Sequence, residues 1–133
     1  MDNINLASND SNILYISQFG SYGSIDWVEN ISDIDIGVIL NSMEDLDFSL
    51  EDNLISIFRE VYNYSNVNIT IVEMNLDDKL TRNIICGKTL YSTIDEKTLK
   101  RQCLYIEKSV SKQRSYYEYI KLQKVKNEVN ELW

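Results

Sequence analysis

FGSYGSIDWVENISDIDIGVIL, residues 19–40, decides how this chain is read. It begins at the end of Ile13 to Phe19, a run dense in β-branched and aromatic residues that predicts a strand. Gly20-Ser21-Tyr22-Gly23-Ser24 breaks that strand, and residues 25–32 form a loop. Asp33 to Leu40 first alternates and then turns fully apolar, as a central strand does. A glycine directly after an apolar strand lets backbone amides approach a phosphate, and the Ser21 hydroxyl adds a donor. Asp33 and Asp35 are two apart, so a strand points both to one face. Carboxylates that close repel, and one resists ionising. A divalent cation relieves the repulsion, and Mg²⁺ typically takes one or two carboxylates together with phosphate oxygens. Alone, a Gly-Ser is usually a turn and a D-x-D usually a solvated strand end. Together, with the eleven residues 22–32 between them, they make a more specific signal than either does alone.

Downstream, residues 41–48 read as an acidic loop. Ser49 then caps a helix with Glu51 and Asp52 in its first turn. Leu50, Leu54, Ile57, Phe58 and Val61 recur at helical spacing, so one helix face packs on a sheet. Asn68 to Met74 is a further strand. Asn75 caps a short helix over 76–86, Gly87 stops it, and Thr89 to Ser92 is a short strand. From Ile94 onward the pattern is helical, with the polar run Ser111 to Ser115 as a place for a bend or a split. The order β, β, α, β, α, β, α predicts one α/β (α+β) domain over 1–133. It has a mixed sheet of about four strands, helices on one side and a long C-terminal helix over 94–133. Residues 1–11 are polar and are expected to fray.

Composition narrows the chemistry. The chain has 133 residues, enough for one domain with its own core. Its net charge of −8 argues against direct nucleic-acid binding, which rests on clustered Lys and Arg. The same charge suits a soluble protein or one with a basic partner. There is no histidine, and Cys86 and Cys103 form no C-x-x-C pair. Zinc fingers, His-based triads and His-ligated iron are thereby excluded. Two thiols without a pairing pattern fit a reducing, cytoplasmic setting. No signal-like N-terminus and no membrane-spanning run is found.

The Gly20-Ser21 and Ser32-Asp33-Ile34-Asp35 constellation resembles the minimal nucleotidyltransferase family of the DNA polymerase β superfamily, with its F-G-S-Y-A-R-G…S-D-I-D-hydrophobic stretch. NITIVEMN and LTRNIICGKTLYS extend the likeness to the family's third strand, following helix and Gly-Lys-x-Leu-Tyr strand, covering roughly 13–92. The resemblance implies a nucleotidyltransferase fold, ATP as substrate and Mg²⁺ as cofactor. Asp33 and Asp35 would hold the metal and catalyse; Gly20, Ser21 and Ser32 would hold the nucleotide. Small members of this family pair with a helical HEPN-type RNase toxin and act as its antitoxin, placing AMP on a toxin tyrosine, so the resemblance also implies a hetero-oligomer.

Three departures from the family pattern stand out. Alignment on Arg82-Asn83-Ile84-Ile85 puts Thr70 where the family has a third acidic residue. Glu73 is the nearest substitute, but three residues along a strand places it on the opposite face. Tyr22-Gly23-Ser24 also lacks the family's arginine, and only some ten polar residues precede the first strand, where the family often has a helix.

Three functions are therefore weighed: an antitoxin that AMPylates its partner, a degenerate domain that neutralises by contact alone, and a small-molecule (antibiotic) nucleotidyltransferase. The last normally needs a second domain for its acceptor. In the C-terminal helix, Tyr116, Tyr117, Tyr119, Ile120 and Trp133 either cover the domain's own sheet or meet a partner. Lys121, Lys124 and Lys126 read as a solvated face.

Overall fold

A computed structural model describes residues 12–44 and 46–131, with side chains as far as residue 126. Residues 1–11, Val129, Leu132 and Trp133 fall outside what it describes in side-chain detail. The elements are β1 (Ile13–Phe19), β2 (Ile34–Leu40), α1 (Leu50–Tyr62), β3 (Val67–Glu73), α2 (Lys79–Ile85), β4 (Lys88–Ser92) and α3 (Glu96–Glu131). The expected mixed four-stranded sheet with a long C-terminal helix is the architecture that forms. Its strand order is β3-β2-β1-β4. β1 runs antiparallel to both β2 and β4, while β2 and β3 are parallel and joined through α1.

The helices cover both faces of the sheet rather than one. Ile34, Ile36, Val38 and Leu40 of β2 pack with Leu50, Leu54 and Phe58 of α1. The other face brings Tyr15 and Ile39 against Ile84 and Ile85 of α2 and Leu99 and Cys103 of α3. The reason lies in β2, whose residues from Ile36 to Leu40 are all buried: a strand apolar on both faces needs cover on both. Gly37 permits the second packing, since a Cβ there would sit 2.5 Å from the Ile84 side chain.

Two caps differ from expectation. Ser49 makes no side-chain cap bond; its hydroxyl instead donates to Asp47 Oδ1 at 2.8 Å, tightening the turn before α1. Asp78, not Asn75, caps α2 by accepting from Thr81 N, while Asn75 accepts from Asp77 N in the preceding turn. Both corrections reflect the freedom of short polar side chains to close turns as well as helix ends.

Nor does Ser111 to Ser115 bend the last helix. α3 runs unbroken for 36 residues, about 54 Å, because serines on a solvated face interrupt no backbone bond and the chain has no proline. Its first three turns are anchored by Leu99, Cys103 and the Arg82–Glu107 ion pair at 2.7 Å. Beyond them Tyr116, Tyr117 and Tyr119 are 63%, 67% and 60% exposed, so they do not cover the domain's own sheet. Lys121, Lys124 and Lys126 are solvated as expected. No described helix is long and apolar enough to cross a membrane.

Candidate functional site at the Gly20–Asp35 end of the sheet

The antiparallel register of β1 and β2 sets the site. Phe19 pairs with Asp35, so the chain leaves β1 at Gly20 directly beside the second aspartate of the D-x-D. Gly20 has φ +78°, and a Cβ on it would lie 2.5 Å from Asp35 Oδ2. Only glycine combines that backbone with that approach. The two motifs quoted from the sequence are thus one structure.

The first aspartate differs slightly from expectation. Asp33 precedes β2 rather than lying within it, and its side chain is exposed, whereas Asp35 is half-buried. Ser21 is exposed, and its carbonyl accepts from Ser24 N at 2.8 Å in the turn that follows. Ser32 turns inward to the loop: its hydroxyl accepts from Val28 N at 2.9 Å and its carbonyl from the Tyr64 hydroxyl at 2.6 Å. That places Ser32 as a support of the Asp33 approach.

An aromatic set holds the loop 20–33 in place, and residue patterns gave no sign of it. Trp27 Nε1 donates to the Asp33 carbonyl at 3.2 Å. The Trp27 ring meets Tyr22 edge-on at 4.9 Å and Tyr64 at 5.3 Å, and Tyr22 meets Tyr62 at 5.6 Å. Burial, and then neighbouring Tyr22, pushes the Tyr62 phenol above its ordinary pKa, and its hydroxyl donates to Gln18 Oε1 at 2.8 Å. Contacts of this kind contribute about 0.5–1.5 kcal/mol each beyond burial. They fix the span that carries the motif serine and aspartate.

The parallel register of β2 and β3 places the third-position candidates. Thr70 pairs with Gly37, one side-chain repeat inward from the site. Glu73 pairs with Leu40, on the other face and about 17 Å along the strand from the Asp35 level at roughly 3.3 Å per residue. There its carboxylate accepts from Met43 N at 3.1 Å. The residue facing Asp35 is Asn68, whose amide donates to Asp35 Oδ1 at 3.3 Å. Only the register of β3 against β2 brings Asn68 opposite Asp35.

The site fits a hard cation in the chemistry of its donors. Asp33 and Asp35 are the carboxylates at this end of the sheet that could hold a hard cation such as Mg²⁺. Among the described residues no group of three or more Asp, Glu, His or Cys side chains is placed to hold a metal ion. A cleft of about 360 Å³ opens beside Gly20 and is lined by Tyr22, Asn83 and Cys86 among others. This is within the roughly 300–1,000 Å³ of small-ligand sites.

Comparison with known proteins bears on the family and the fold. The family model described as polymerase beta, nucleotidyltransferase matches residues 3–96. No curated protein matches the chain. Among solved structures, a chain of a toxin–antitoxin with AMP-PNP is 21% identical, over 87% of this chain and 93% of that one, with a TM-score of 0.53. A complex of tri-AMPylated Shewanella oneidensis HEPN toxin with MNT antitoxin gives 19% identity over 87% and 89%, at 0.50. A mutant of the toxin–antitoxin MntA-HpeT gives 19% over 84% and 88%, at 0.51. At these identities the likeness is one of fold.

Proposed function

The chain belongs to the polymerase β nucleotidyltransferase family, and from that premise we propose that it is an antitoxin-type nucleotidyltransferase. It transfers AMP from ATP to a hydroxyl, that of a tyrosine, on a helical HEPN-type toxin with which it forms a hetero-oligomer. The observation that carries this reading is the contact of Gly20 with Asp35, which unites a phosphate-approach point with a carboxylate pair at one sheet end.

In this reading the acceptor hydroxyl releases its proton to solvent, its oxygen attacks the α-phosphorus, the bond from that phosphorus to the bridging oxygen breaks, and pyrophosphate leaves. Mg²⁺, when bound, offsets the charge that grows on the phosphates. Asp33 and Asp35 would hold it, and Gly20 and Ser21 would receive the β- and γ-phosphates. The aromatic set of Tyr22, Trp27 and Tyr64 keeps the loop from drifting.

A second reading is favoured by one observation. Asn68 stands where a third carboxylate would face Asp35, and an amide cannot take a proton from an acceptor hydroxyl at neutral pH. In that case the domain neutralises its partner by contact alone. Intact-mass spectrometry of the partner, after incubation with the chain, ATP and Mg²⁺, separates the two. AMP-sized mass gains, lost in the Asp33→Ala/Asp35→Ala double variant, establish the transferase. A tight complex with no gain in mass establishes contact neutralisation.

A further inference from the structure

The turn that closes α2 brings a lysine to the nucleotide end of the sheet. Gly87 N donates to the Ile84 carbonyl at 3.1 Å, and Gly87 itself is pressed so close to β1 that a Cβ would lie 2.4 Å from the Gln18 carbonyl oxygen. β4 therefore starts hard against the end of β1. Lys88, its first residue, pairs with Gln18, two residues before Gly20. Lys88 and Gly20 line the same polar cleft, and Lys88 is the one charged residue in that lining.

The other cations nearby are occupied. Arg82 is held by Glu107 at 2.7 Å and by the Leu76 carbonyl at 2.9 Å. Lys100 is held by Glu96 at 2.9 Å and by the Gly87 carbonyl at 3.2 Å. Lys88 is exposed and has no carboxylate partner among the described residues. An exposed ammonium in a cleft also lined by Gly20 and Gly87 matches a polyphosphate anion, which it meets as a point charge.

We propose that Lys88 is the cationic contact for the β- and γ-phosphates of the nucleotide, reached across the cleft from Gly20. Lys88 would supply the charge that Tyr22-Gly23-Ser24, without an arginine, does not. The assignment rests on the nucleotidyltransferase reading above and gives that site selectivity for triphosphates over monophosphates.

The test is calorimetric titration of the whole chain, in Mg²⁺ buffer, with a non-hydrolysable ATP analogue and separately with AMP. Native protein, Lys88→Gln and Lys88→Arg are compared, each checked for an unchanged thermal midpoint. The expected result is about tenfold weaker binding of the triphosphate by Lys88→Gln, AMP binding within about twofold of native, and recovery in Lys88→Arg. Equal triphosphate affinity in native protein and Lys88→Gln, or parallel losses for AMP and triphosphate, would overturn the assignment and leave the transferase reading standing. A native chain that binds neither ligand would overturn both.

Discussion

Asp35 and Glu73 sit near opposite ends of the same two-strand ladder, and they show how this fold separates a site from a support. At the Asp35 end the backbone turns through a left-handed glycine, the carboxylate lies against it, and the facing side chain is an amide that leaves carboxylate lone pairs open. At the Glu73 end the carboxylate accepts a backbone N–H from Met43, and Asn12 ties the same loop with two bonds to Ser42. One end is closed by hydrogen bonds and the other is left with capacity to bind. Chemical identity alone would not distinguish these two acids; position in the register does.

The contrast is broken most directly by removing Asp35. Asp35→Ala should lower the rate of AMP transfer by about 10²–10³-fold, the scale of losing one preorganised electrostatic group. Its thermal midpoint should stay close to native, because the side chain is half-buried and carries little packing. Gly20→Ala comes next. A Cβ at φ +78°, facing Asp35 Oδ2, should cost about 1–3 kcal/mol in chemical denaturation and should weaken nucleotide binding as well.

Asn68→Asp sharpens the comparison in the other direction. It should raise the transfer rate about tenfold by adding a base beside Asp35, whereas Thr70→Asp, one repeat inward, should not. Single-turnover assays with the partner protein read both. The smallest effect is expected at the closed end. Glu73→Gln should change stability by no more than about 1 kcal/mol, the scale of one exposed hydrogen bond, and leave transfer untouched.

Much of this was legible in the sequence. Seven elements follow from apolar runs and breakers, and their limits shift by only a few residues, as with α2 starting at Lys79. The union of Gly20 with Asp35 could be read from the spacing of the two motifs. What stayed hidden depended on register and on three-dimensional neighbours. Asn68 came into view only when β3 was paired with β2, and the Trp27–Tyr64 contact joins residues 37 apart in the chain. The one-sided placement of helices failed because a fully apolar strand such as β2 says that both faces are covered without saying by which elements. The exposed tyrosines of α3 were ambiguous for a related reason: composition gives their number, and only the course of the helix shows that they leave the domain.

The most direct measurement uses ATP radiolabelled at either the α- or the γ-phosphate, incubated with the chain, Mg²⁺ and the proposed helical partner, followed by detection of label on that partner. The account predicts label from the α-position alone, on a tyrosine, and none when Asp33 and Asp35 are replaced by alanine. Label from the γ-position, or none from either while the two proteins remain bound, would contradict it.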